Sequence, residues 1–197
     1  MKRFRIKGLS KEQRLLLEGI EISSVIEKSI LEIGCGVGGF HHTLIKHGAS
    51  SAFGVDISDG MINAAKQLSK ELGIEGKSQY LVGDYLVLEP GIPPADILVM
   101  DKVVCCYENL NPLIEKSIKK TKNIYALSFP RPAWYINMIF SGIKLIAKAL
   151  RGEFYPYIHD WTKMVADIKR HGFIERYKSS TFIWSVIVFQ RLSGIDV

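Results

Sequence analysis

Short apolar runs alternate with amphipathic stretches along most of the chain. Segments 29–33, 51–56, 78–83, 95–101 and 123–128 are mostly apolar and bounded by Gly, Pro, Ser or Asn, which predicts buried strands. Pro93 and Pro94 announce the fourth of them. Between the strands, segments 39–47, 60–72 and 110–119 repeat apolar residues at helical spacing, and Gly48 and Gly73 close the first two. A helix is predicted over 10–28, where Ser10 and Gln13 have capping-box spacing. Strands alternating with helices predict a parallel sheet covered on both faces. The rhythm breaks at 173–179 and 182–190, two strand-like runs joined only by Ser180-Thr181. They read as a hairpin, so one of the pair must run antiparallel to the rest.

Composition narrows the picture. The chain has 197 residues, 47% hydrophobic and 23% charged, which fits a single globular domain over 1–197 with a proper core. Of three cysteines, Cys105 and Cys106 are adjacent and Cys35 sits among glycines, so no disulfide frame is expected and a reduced, cytoplasmic setting is. The basic start, Lys2, Arg3, Arg5 and Lys7, is not followed by an apolar signal core. Net charge is +6, with a second basic cluster at Lys116, Lys119, Lys120 and Lys122. Either cluster is a solvated face or an attraction to an anionic partner. The segment 133–151 is an apolar helix with one narrow polar stripe, Asn137, Ser141, Lys144, Lys148 and Arg151. It covers the sheet, lines an apolar pocket or touches a membrane peripherally; its cations and length argue against a span.

The chemistry concentrates in Leu31-Glu32-Ile33-Gly34-Cys35-Gly36-Val37-Gly38-Gly39, a strand, a glycine turn and a helix start. Such glycines let main chain take positive φ and approach a nucleotide closely. The run satisfies both G-x-G-x-x-G and E-x-G-x-G-x-G. Asp56 ends the second strand about twenty residues further on, where a carboxylate can accept ribose hydroxyls. Asp84 ends the third. These residues, with the closing hairpin, resemble the class I S-adenosylmethionine (SAM)-dependent methyltransferases. The resemblance implies a Rossmann-like three-layer α/β sandwich. Its seven-stranded sheet would be mostly parallel, with one antiparallel strand in the C-terminal hairpin. It implies SAM as cofactor and S-adenosylhomocysteine (SAH) as product. The implied cofactor residues are Glu32, Gly34, Cys35, Gly36, Gly38, Asp56, Ile57, Met61, Asp84, Tyr85, Asp101 and Lys102. Of His41 and His42, at most one can face the ligand, because consecutive helical residues diverge; the other is expected at the surface.

The segment Asp101–Tyr107 lacks the Asn/Asp-Pro-Pro-Tyr/Phe of nitrogen-methylating nucleic-acid enzymes and resembles small-molecule methyltransferases. It is distantly similar to the magnesium-protoporphyrin O-methyltransferase-like group, but has Cys106 where that group tends to carry histidine before Tyr107. His159, flanked by aromatics and next to Asp160, is a candidate general base together with Tyr107. Arg131, Trp134, Tyr155 and Tyr157 are candidate acceptor contacts. An N-terminal helical lid (1–28) and an insert (130–172) are expected to close over a small, largely apolar acceptor bearing an acidic or phenolic group. No metal site is expected. RNA methylation, a non-catalytic SAM-binding role and peripheral membrane contact stay open, with nucleic acid disfavoured by the absence of an appended binding module.

Overall fold

The computed structural model of the protein describes residues 8–149 and 156–192. Its elements in chain order are α1 (Lys11–Glu21), β1 (Ser29–Ile33), α2 (Gly39–Lys46), β2 (Ser51–Asp56), α3 (Asp59–Glu71), β3 (Ser78–Val82) and α4 (Tyr85–Leu88). Then come β4 (Ala95–Asp101), α5 (Leu110–Lys119), β5 (Thr121–Pro130), α6 (Trp134–Ala149), α7 (Trp161–Arg170), β6 (Phe173–Ser180) and β7 (Trp184–Arg191). The strands form one sheet in the order β3-β2-β1-β4-β5-β7-β6. β1 to β5 pair in parallel, and β7 runs antiparallel to both β5 and β6. The expected three-layer sandwich with its single reversed strand is the observed fold.

Side-chain alternation along the central strands builds two cores. Leu31, Ile33, Leu98, Met100, Tyr125 and Leu127 point to one face, against α5 and α7. Ile30, Ile97, Val99, Ile124 and Ala126 point to the other, where Leu16 and Ile20 of α1 and Phe40 and Leu44 of α2 meet them. Each such side chain contributes about 1.5–3 kcal/mol when fully buried. α1 is therefore a layer of the sandwich, with only its first turn at the site. Its capping box is present: Gln13 N–H donates to the Ser10 hydroxyl and Ser10 N–H to the Gln13 side chain.

The structure departs from the expected elements at two helices. The helix predicted over 10–28 ends at Glu21, because Ser24 and Glu27 adopt left-handed φ of 64° and 60° and turn the chain into β1. Cys105 and Cys106 lie in a short 3-10 turn after β4. α7 was not foreseen, although Asp160 caps it by accepting from Lys163 N–H at 2.9 Å. No helix among the described residues is long and apolar enough to cross a membrane.

Candidate active site

The carboxyl ends of β1, β2, β3 and β4 meet around the glycine turn. Gly34, Gly36 and Gly38 take φ of 68°, 53° and 75°. At Gly34 a Cβ would lie 2.4 Å from Val103 Cγ2, so the turn is pressed against the end of β4. Asp56 fixes the turn from the neighbouring strand. Its Oδ2 accepts from Gly36 N–H at 2.8 Å and its Oδ1 from Ser58 N–H at 2.9 Å.

Two cavities share Gly34, Asp101 and Lys102. One, of about 460 Å³, is lined by Asp56, Ile57, Asp84, Tyr85 and Tyr107, among others. The other, of about 730 Å³, is lined by Glu32, Cys35, Gly36, Met61 and the start of α1. Both are of a size that takes small ligands. Ile57 is 78% exposed and Met61 46%, apolar surface left open beside the cavities. Asp84 Oδ1 accepts from Leu86 N–H and from the Tyr107 hydroxyl, each at 2.9 Å. Tyr85 contributes to the cavity from within the core, 1% exposed. Burial, helped by the Glu32 and Asp56 charges, raises the Cys35 thiol and keeps it protonated.

Beneath the turn lies a polar chain absent from the sequence reading. Glu32 has the same parity as Ile30 along β1, so it points at α2 and meets His41 Nδ1 at 2.5 Å. His41 Nε2 is 3.2 Å from the Tyr80 hydroxyl, and His42 Nε2 is 2.5 Å from it. Both histidines are fully buried, which corrects the surface position expected for one of them. Gly38 makes the room, since a Cβ there would stand 2.8 Å from His42 Cε1 and 2.9 Å from His41 Cε1. Burial pushes both imidazoles down to about 3 and holds Glu32 well above the usual carboxylate range. Tyr80 gave no sequence signal; only the parallel pairing of β2 and β3 brings it to α2.

Of the remaining described candidates, Tyr107 lines the groove and the others do not. His159 lines a separate cavity of about 510 Å³ between α5 and α7, and its Nε2 donates to the Tyr107 carbonyl at 2.8 Å. Burial lowers it, so the ring is neutral. Burial and the Asp84 carboxylate raise the Tyr107 phenol, which makes it a hydrogen-bond donor rather than a proton acceptor. Tyr157 joins the Cys105 carbonyl through its backbone N–H at 2.7 Å. Arg131 reaches the Thr181 carbonyl at 3.4 Å, and Trp134 is 74% exposed on α6. Tyr155 lies outside the described residues. Among the described residues, no group of three His, Cys, Asp or Glu side chains could hold a metal ion.

Strand order, glycine turn and strand-end carboxylates together define a class I SAM-dependent methyltransferase fold. Residues 30–125 match the family model of a methyltransferase domain. Magnesium protoporphyrin IX methyltransferase from Synechocystis PCC 6803, solved with bound SAH, superposes with a TM-score of 0.73 at 20% identity, over 97% of this chain and 86% of that one. Ribosomal protein L11 methylase from Lactobacillus delbrueckii subsp. bulgaricus superposes at 0.66 and 19%, over 93% and 80%. In sequence, a ribosomal protein L11 methyltransferase of Haemophilus influenzae is 29% identical over 105 residues, 53% of this chain and 35% of that protein. The chain thus matches only about a third of the length of these curated relatives.

Proposed function

We propose that the protein transfers a methyl group from SAM to a small, largely apolar acceptor bearing an acidic or phenolic group, and releases SAH. One observation carries the reading: Glu32, Asp56, Asp84 and Asp101 border two adjoining cavities around a glycine turn. In this reading Asp56 accepts the ribose hydroxyls and the free oxygen of Asp84 the adenine amino group. Ile57 and Met61 cover the apolar parts. Glu32 and Asp101 offer carboxyl oxygens that can accept hydrogen bonds from the ammonium of SAM. The methyl of SAM is already activated, so the protein's task is to align the acceptor with the methyl–sulfur bond. An acceptor that arrives ionised needs no base, which fits a Tyr107 that donates to Asp84 and a His159 in its own cavity.

The exposed Trp134, Met138 and Ile139 of α6 fit an apolar acceptor. A second reading, methylation of a ribosomal protein, draws on the names of the sequence relatives, which share about a third of their length with this chain. Incubation with methyl-labelled SAM and fractionated cytoplasmic extract tests both. Label in a small-molecule or lipid fraction, lost in Asp56→Ala, is expected. Label confined to ribosomal protein would favour the second reading, and NAD binding in place of SAH would refute both.

A further inference from the structure

The end of β4 holds a side chain that a cationic cofactor does not need. Lys102 adopts φ of 63°, left-handed for a residue with a side chain. Such a conformation persists where the surroundings over-determine it, and it concentrates at functional sites. Here Ser128 does so: Lys102 N–H donates to its hydroxyl at 2.9 Å and its carbonyl at 3.2 Å. The Ser128 hydroxyl in turn donates to Asp101 at 2.5 Å. Held this way, the Lys102 ammonium stands 5.2 Å over the Trp184 ring and 2.8 Å from Glu12 Oε2. Glu12 lies in the first turn of α1, 90 positions away in sequence.

The ammonium is held by a carboxylate and faced by an aromatic ring. Burial pushes Glu12 up, but the Lys102 hydrogen bond, a backbone hydrogen bond, the Lys102 charge and the Thr181 hydroxyl together leave the carboxyl below its ordinary value. Arg131 is a second cation nearby, bonded to the Thr181 carbonyl and in no ion pair among the described residues. Asp101 is a second carboxylate whose charge acts on Lys102. Around them Phe140 meets Trp184 edge-on at 6.4 Å and Tyr135 stacks on Phe182 at 5.3 Å. Both cavities reach Lys102, so a group bound there adjoins the cofactor groove. A sulfonium repels this ammonium; a carboxylate or phenolate on a flat apolar body matches it, charge to charge and ring to ring.

We propose that Lys102 anchors the anionic group of the methyl acceptor, and that Glu12 is its internal counter-ion, displaced when the acceptor arrives. The proposal rests on the SAM reading of the groove. The test is calorimetric titration of the full chain, free and SAH-loaded, with 2-naphthoate and with neutral 2-naphthamide. Naphthoate is expected to bind about tenfold or more tightly than naphthamide, the fold-change of one charged hydrogen bond. Glu12→Gln should tighten naphthoate, Lys102→Met should erase the preference, and Lys102→Arg should restore it. Equal binding of the two probes, or binding of neither, overturns the proposal. So does a Lys102→Met variant that keeps the preference and loses SAH affinity instead. Failure of the wild-type chain to bind SAH would sink the cofactor reading alone, because the probes still judge Lys102 on the free chain.

Discussion

Two glycines two positions apart do different jobs in the turn. Gly34 is pressed against Val103, where a Cβ would sit 2.4 Å from a methyl carbon. Gly36 has a similar left-handed backbone, but a Cβ there would meet nothing within 4 Å. Gly34→Ala is therefore expected to destabilise the fold beyond the roughly 1–2 kcal/mol of left-handed strain alone. Gly36→Ala should lose only about that strain, yet weaken SAH about tenfold or more by filling the space the ligand needs. Thermal melts paired with SAH titration separate the two; equal behaviour of the variants would contradict the assignment. Asp56 was legible at this scale because its distance from the turn is set by one strand–helix–strand unit. His41 and His42 were misread because side-chain direction on one helix does not reveal what a neighbouring strand offers above it.

α1 docks on the sheet through Gly19, the point of closest approach. A Cβ there would stand 2.7 Å from Tyr177 Cδ1 and from Val188 Cγ2. Gly19→Ala is thus expected to lower stability by about 1–3 kcal/mol through overpacking, although alanine is the better helix former. For a chain of this size that is a fall in Tm of roughly 2–4 °C per kcal/mol. Gly60, in the first turn of α3, has only the Ser58 hydroxyl within 4 Å, at 3.9 Å, so Gly60→Ala should be neutral or raise Tm. A rise in Tm for Gly19→Ala would show that α1 is more loosely seated than its contacts indicate. Strand bounds were readable because apolar runs end abruptly at Gly, Pro and Asp. α7 was missed because its Trp161, Met164 and Ile168 are widely spaced between charges, and only packing against α5 and β6 reveals them as core.

For the molecule as a whole, the buried polar chain under the turn sets the response to acid. Burial holds His41 and His42 at about 3, below the ordinary 6.5, so the unfolded chain takes up their protons first. Their stabilisation is complete above pH 6.5 and is lost as pH falls toward 3. Glu32, raised well above its ordinary 4.5, works in the opposite sense, because the folded chain keeps that proton. Two imidazoles outweigh one carboxyl, so Tm should fall as pH drops below 6.5, and more steeply below 4.5. His42→Gln should flatten the slope between pH 6.5 and 4.5; an unchanged slope would mean the ring is already protonated in the folded state. Saturation with SAH at about 100 times its Kd should add about 2.7 kcal/mol to stability at any one pH.

The sequence by itself determined the alternation of strands and helices, the glycine turn and the two strand-end carboxylates that flank it. These are local or one-unit features, fixed by apolar periodicity and by the backbone freedom of glycine. Tertiary structure decided what those features touch. Inserting β7 between β5 and β6 brings Trp184 beside Lys102, and docking α1 across the sheet brings Glu12 to the same ammonium. Pairing β3 with β2 lifts Tyr80 onto both histidines. Such contacts join residues far apart in sequence, and no period or spacing along the chain encodes them.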